Sequence, residues 1–119
     1  MIRVLIAEDV HMVRGALSAL LNLEPDIEVV AEVASGDDIL PTTRTHRPDV
    51  AVIDIGLPDG DGVSLAGELT ALPWRPRVVL TSTDPDAASP DAVRASGARA
   101  FIAKHDLPNA PLARLLSKD

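Results

Sequence analysis

Val50-Ala51-Val52-Ile53-Asp54 is a continuous apolar run that ends on a carboxylate, and Leu57-Pro58-Asp59-Gly60-Asp61-Gly62 follows it closely. A short β-rich run bounded by Gly, Pro and Asp reads as a strand, and one apolar at every position suits the centre of a sheet. The Pro/Asp/Gly segment reads as a turn. Beyond it Val63, Leu65, Ala66 and Leu69 fall at helical spacing. The unit is a strand over Val50–Ile53, a turn and a helix, with Asp54 at the strand's carboxyl end.

The same unit recurs on either side. Arg3–Ala7 predicts a first strand ending at Glu8-Asp9, and Val13, Ala16, Leu17, Leu20 and Leu21 predict a helical stripe that stops before Glu24-Pro25. Ile27–Val33 alternates in part, as an edge strand does, and Ser35-Gly36-Asp37 opens a second helix. Pro41 predicts an irregularity at Leu40-Pro41, with the helix kinked there or beginning later with Pro41 near its first position. Val78–Thr81 is the fourth strand. Ser89-Pro90-Asp91 reads as N-cap, proline and acidic first turn of a short helix stopped by Gly97. Ala100–Ala103 is the fifth strand, and a last helix is expected around Asn109 to Ser117. Alternating strands and helices give an α/β class, a doubly wound parallel sheet with helices on both faces.

The chain has 119 residues, the size of one domain, with no repeat or linker to divide it. Aromatics make up only 2%, so Val, Ile, Leu and Ala must fill the core. A net charge of -7 and the lack of any Lys/Arg run argue against direct nucleic-acid contact. The absence of cysteine removes disulfides, thiolate catalysis and Cys-based metal sites. No apolar stretch reaches membrane-span length, and Met1-Ile2-Arg3-Val4-Leu5-Ile6 leads into a strand rather than a signal peptide. A cytoplasmic protein is expected.

Parallel strands bring their carboxyl ends to one edge, and Glu8, Asp9, Asp54, Thr81 and Lys104 all fall there. Three carboxylates together require a cation. Magnesium suits the set, since it takes one or two carboxylates plus phosphate oxygens and keeps several waters. Asp9 and Asp54 would hold it, with Glu8 reaching it through a water. Asp54 could act as a nucleophile toward phosphorus, Lys104 would hold the phosphoryl group, and Thr81 would donate its hydroxyl to a phosphoryl oxygen.

With Leu57-Pro58 and Asp61-Gly62 behind Asp54, these residues resemble a response-regulator receiver domain of two-component signalling, over essentially the whole chain. The resemblance implies a flavodoxin-like (βα)5 fold with strand order 2-1-3-4-5. It makes Glu8 and Asp9 the acidic pair, Asp54 the phosphorylated aspartate, Thr81 the hydroxyl switch residue, Phe101 the switch aromatic and Lys104 the lysine. The backbone carbonyl of Gly56 joins the magnesium ligands. Asp9-Val10-His11-Met12-Val13-Arg14-Gly15-Ala16-Leu17 resembles the NarL/FixJ-type subclass, whose receivers usually precede a helix-turn-helix domain. None follows Asp119, so the expectation is either a receiver from a longer regulator or a natural single-domain protein.

The implied function is to accept a phosphoryl group from a sensor histidine kinase onto Asp54 and to switch an output such as transcription. Thr81 would turn inward and Phe101 would move, changing the face that a partner or a phosphorylation-dependent homodimer reads. DNA would be reached only through the additional domain. The alternatives are a pseudo-receiver that binds partners without phosphorylation, a magnesium-dependent aspartyl-phosphate phosphatase, and a nucleotide-binding module. Gly56 occupies the position where the phosphatase needs a second carboxylate, and no glycine-rich loop follows the first strand for the nucleotide module.

Two departures from the family stand out. Gly56 replaces a larger side chain two residues after the acceptor, so Gly56 and Thr83 are expected to tune phosphate lifetime. His105 stands where many receivers have a cis proline, and a trans Lys104-His105 bond is expected, because a cis bond before a non-proline residue costs about 3 kcal/mol. Phe101 lacks a hydroxyl, so it would switch by packing alone. Asp59, Asp61, Asp84 and Asp86 lie beside Gly or Pro or in turn-rich loops and read as turn formers. His11, His46 and His105 lack metal-ligand spacing and read as solvated surface, and Trp74 reads as a loop anchor.

Overall fold

Strict alternation along the central strands divides the core into two halves. On the first strand, Val4 and Ile6 point to one face while Leu5 and Ala7 point to the other, and Val50/Val52 against Ala51/Ile53 repeat the division. The computed structural model describes residues 1–117. Its five strands are β1 (Ile2–Ala7), β2 (Ile27–Val33), β3 (Val50–Asp54), β4 (Arg77–Ser82) and β5 (Ala100–Ala103). They pair in parallel in the order β2-β1-β3-β4-β5, as expected. β2 is an edge, and β3, at the centre, is buried at every position.

The helices are α1 (His11–Asn22), α2 (Ile39–His46), α3 (Gly62–Thr70), α4 (Pro90–Ala95) and α5 (Leu112–Leu115). One half of the core joins Leu5, Ile53 and Leu80 to Ile39 of α2, Ala66 and Leu69 of α3 and Val93 of α4. The other joins Val4, Ile6, Val52 and Val79 to Leu17 and Leu21 of α1 and to Leu107, Leu112 and Leu116. α1 and α5 therefore cover one face, and α2, α3 and α4 the other. The α1 stripe is narrower than its spacing implied: Ala16 is exposed, and Val13 and Leu20 are half-buried.

Caps set several boundaries. Asp61 accepts from Val63 N and starts α3, and Ser89 accepts from Ala92 N ahead of Pro90 in α4. Gly97, at φ +84, carries the chain out of α4, and a Cβ there would lie 2.8 Å from Thr70 Oγ1.

Two helices differ from expectation. The irregularity ahead of α2 lies upstream of Leu40-Pro41: a 3-10 turn over Gly36–Asp38 passes into the helix at Ile39. Pro41 is then the third residue of α2, where no intrahelical donor is required. The last helix does not run from Asn109 to Ser117. Lys104–Asn109 forms a 3-10 segment, Ala110 is extended, and α5 holds only Leu112–Leu115. Pro111 forces this break, because the residue before a proline is disfavoured in helical conformation.

Thr43 is fully buried on α2, four residues after Ile39, and its hydroxyl has no partner. An unsatisfied buried hydroxyl costs about 1 kcal/mol or more. Thr43→Val is therefore expected to raise stability by about 1 kcal/mol in urea unfolding, with m unchanged; a lower midpoint would mean that the hydroxyl is bonded in solution.

Candidate functional site

Sheet register assembles the cluster. Ala7 pairs with Ile53, so Glu8 and Asp9 leave β1 level with Asp54. Asp54 pairs with Thr81, and Ser82 with Ala103, which puts Lys104 one residue beyond the same edge. One carboxylate oxygen each from Glu8, Asp9 and Asp54 lies within 4.8 Å of the others. Glu8 and Asp54 are buried and Asp9 is exposed.

Lys104 supplies the opposing charge. Its Nζ donates to Glu8 Oε1 and, at 3.0 Å, to Asp54 Oδ2. Asp54 Oδ1 accepts from Gly56 N at 2.8 Å, and Glu8 Oε2 from Val10 N at 3.2 Å. Burial pushes the Glu8 carboxyl above its ordinary value; Lys104 and the Val10 N–H oppose this, while Asp9 and the Asp54 charge add to it. Burial pulls Lys104 down, but its bonds to Glu8 and Asp54 outweigh that and hold it above the usual lysine value. The ammonium is therefore charged at neutral pH.

Thr81 is buried beside the cluster and, with Glu8 and Lys104, reaches a largely apolar groove of about 240 Å³ between α1 and Leu107-Pro108. Phe101 does not join the cluster. It pairs with Leu80 in the sheet and lines a separate groove of about 510 Å³ with Pro85, Ser89, Pro90 and Val93. A Cβ on Gly56 would sit 3.4 Å from Asp54 Oδ1, an ordinary contact, so a side chain there would stand beside the carboxylate. Thr83 is exposed. No described peptide bond is cis, so Lys104-His105 is trans.

The turn aspartates act as expected, with one addition. Asp84 accepts from Asp86 N, and Asp61 caps α3. Asp59 reaches across to the β2–α2 connection, accepting from Gly36 N at 2.7 Å and Asp37 N at 3.2 Å. These bonds hold its carboxyl below the ordinary value. The two loops meet closely enough that a Cβ on Gly36 would lie 3.1 Å from Asp59 O. Arg14, given no role in the sequence beyond its place in the Asp9–Leu17 segment, braces the site: its guanidinium donates to the Glu8 carbonyl at 2.9 Å and pairs with Glu32 at 3.8 Å. Of the histidines, His11 meets Arg14, His105 lies 3.5 Å from Asp106, and His46 is half-buried rather than solvated.

An acidic triad with a shared lysine, on the carboxyl edge of a 2-1-3-4-5 sheet, can be compared directly with known proteins. The family description "Response regulator receiver domain" matches residues 4–114. The chain belongs to this family. The receiver is 37% identical over 115 residues to the DNA-binding transcriptional activator DevR/DosR of Mycobacterium tuberculosis, an alignment covering 96% of this chain and 52% of that protein. It is 40% identical over 86 residues to a protein-glutamate methylesterase/protein-glutamine glutaminase of Nitrosospira multiformis, covering 71% of this chain and 24% of that one. Among solved structures, the receiver domain of the putative response regulator NarL from Mycobacterium tuberculosis superposes with a TM-score of 0.80 at 27% identity over 98% of both chains. These relatives support the NarL/FixJ-type subclass.

The receiver spans about half the length of DevR/DosR and less of the methylesterase. It is a signalling domain, of a kind found in transcriptional regulators and in methylesterases alike. Receivers generally use magnesium at an acidic pocket and interact with histidine kinases. No helix among the described residues is long and apolar enough to cross a membrane.

Proposed function

We propose that this receiver accepts a phosphoryl group on Asp54 from the phosphohistidine of a sensor kinase. The observation that carries this reading is the Lys104 ammonium shared between buried Glu8 and Asp54 within a three-carboxylate cluster. The all-oxygen donor set fits magnesium, with Asp9, Asp54 and the Gly56 carbonyl as ligands and Glu8 acting through water. When bound, magnesium supplies positive charge against the phosphoryl oxygens. Lys104 then shifts its donors from the carboxylates to a phosphoryl oxygen, and an Asp54 oxygen attacks phosphorus as the bond to the histidine nitrogen breaks. The domain thus promotes its own phosphorylation and dephosphorylation without acting on a separate substrate.

Thr81, level with Asp54 on the next strand, would donate its hydroxyl to the new phosphoryl group. Phe101 would reposition beside the groove next to α4, altering the face that a partner or a second phosphorylated copy reads. Leu112 and Leu116 are buried and Leu115 half-buried, so α5 contributes little apolar surface to that face. Where the receiver is part of a longer regulator, the output is transcription through a DNA-binding domain, and the setting is the cytoplasm.

Intact-protein mass after incubation with acetyl phosphate tests the reading. A single phosphoryl adduct that chelation abolishes supports it; no adduct under a short quench favours a module that binds partners without phosphorylation. Gly56 places no side chain beside Asp54 to shield a phosphoryl group from water. Gly56→Arg is therefore expected to slow loss of the adduct roughly tenfold, a barrier increase of about 1.4 kcal/mol. An unchanged decay rate removes Gly56 from control of phosphate lifetime.

A further inference from the structure

The pole opposite the acidic cluster carries the reverse charge. Backbone hydrogen bonds there align the strand starts: Asp49 N donates to Arg3 O, Arg77 N to Asp49 O and Arg99 N to Val78 O. Arg3, Arg77 and Arg99 thus share one sheet edge, and Arg47 and Arg75 sit two residues before Asp49 and Arg77 in the connections leading into β3 and β4. Asp49, Glu24 and Asp26 lie in the connections at this end, and Glu28 pairs with Arg3 in the sheet register. The Asp49 carboxylate is engaged by the backbone N–H of Arg3.

The chain has 18 acidic and 11 basic residues, so its arginines should find carboxylates readily. Arg14 and Arg94 do, with Glu32 and Asp91. Among the described residues, Arg3, Arg47, Arg75 and Arg77 form no ion pair. Arg3 donates to the Arg47 carbonyl and Arg77 to the Leu116 carbonyl, and the Asp49 charge acts on Arg77 without forming an ion pair with it. Arg47 lies over the Trp74 ring, 4.5 Å from its centroid, and the Trp74 indole is fixed by donating to the Pro48 carbonyl at 3.0 Å. Stacking holds the guanidinium plane and leaves its N–H edge available to a carboxylate.

Arg47 and Arg75 are also the two described non-glycine residues at positive φ, both at 47°, and each precedes a proline. A glycine would adopt this conformation at less cost. The chain nevertheless places long cations at both positions.

We infer that this strand-start edge, centred on Arg47, Trp74 and Arg75, is a docking surface for an acidic segment of a protein partner. Charge complementarity selects an acidic segment. A long nucleic acid would feel the net charge of -7, whereas a short peptide senses mainly charges within about 10 Å. One face of the Trp74 ring is already covered by Arg47, which takes that face from any base that would stack on it. Because the surface lies at the end of the sheet away from Asp54, binding there would tether a partner without blocking the phosphoryl site. This inference does not depend on Asp54 being the acceptor.

Trp74 is the chain's single Trp and there is no Tyr, so intrinsic fluorescence reports on this surface alone. The probe is a twelve-residue peptide of alternating Asp and Glu, titrated at low and at physiological salt. The expected result is a saturable change in Trp74 emission that weakens with salt. Arg75→Glu should weaken binding at least tenfold, and so should Arg47→Gly, which relieves the left-handed conformation and should not lower the melting temperature. Arg94→Glu, away from the edge, should leave binding unchanged. No emission change, an affinity in the Arg75→Glu and Arg47→Gly proteins equal to that of the unmodified protein, or tighter binding of a single-stranded oligonucleotide would each overturn the inference. Salt-sensitive self-association without peptide, abolished by Arg75→Glu, would reassign the edge to a second copy of the chain.

Discussion

Asp54→Asn is expected to abolish the phosphoryl adduct formed with acetyl phosphate and magnesium, while leaving the fold intact. An amide oxygen does not attack phosphorus as a carboxylate does. The substitution keeps the side-chain shape, and the new oxygen can still accept from Gly56 N. It also removes one negative charge from a cluster in which Glu8 already sits above its ordinary pKa, partly because of Asp54. Lys104 retains Glu8 as a partner. These gains and losses offset, so stability should change by no more than about 1 kcal/mol. Intact mass and urea unfolding on the same sample separate the two effects. An adduct that persists in Asp54→Asn would move the acceptor elsewhere, with exposed Asp9 the nearest candidate. Loss of adduct accompanied by unfolding would leave the role of Asp54 undecided by this substitution and shift the test to Lys104.

The strand ends were legible because a parallel sheet turns linear position into spatial position. Once Ala7 pairs with Ile53 and Asp54 with Thr81, residues just past separate apolar runs must meet. The strand order followed from the family resemblance rather than from the runs themselves. Helices were less legible, because their limits depend on which donors go unused. Pro41 looked disruptive, yet at the third position of α2 it forfeits nothing. Pro111, inside the span expected for the last helix, stops α5 from extending upstream. Ala16 matched the apolar spacing of α1 yet lies outside its buried stripe, since spacing alone does not set how wide a contact the sheet offers. The Asp59 bridge to Gly36 and Asp37 joins loops 22 or more residues apart, and no local pattern announces it. Nor does a sequence reveal that Arg47 and Arg75 take a conformation usually left to glycine.

Lys104→Met is expected to have the largest effect on stability, and its dependence on pH and magnesium carries the argument. In the native protein the Lys104 side chain, only 16% exposed, places its ammonium between Glu8 and Asp54, whose side chains are 2% and 7% exposed. Methionine has similar length and no charge, so two buried carboxylates would lose their counter-charge. Removing one partner of a buried ion pair costs about 3 kcal/mol, or roughly 10 °C in melting temperature for a domain of this size. The Glu8 carboxyl, already raised by burial, would lose the hydrogen bond that opposes the rise. A carboxyl whose folded pKa exceeds its unfolded value binds its proton more tightly when folded. Its stabilising contribution is therefore greatest below the unfolded pKa and falls as pH rises through the folded one. The deficit of Lys104→Met should be small in acid and grow toward neutral pH. Magnesium should narrow it, raising the melting temperature of the variant more than that of the unmodified protein, because the ion supplies the charge that the lysine no longer does. Thermal melts at several pH values, with and without magnesium, test both dependences. A deficit that is the same at every pH and indifferent to magnesium would mean that Lys104 acts through packing of its aliphatic stem, and would remove the charge balance on which the phosphoryl-transfer reading rests.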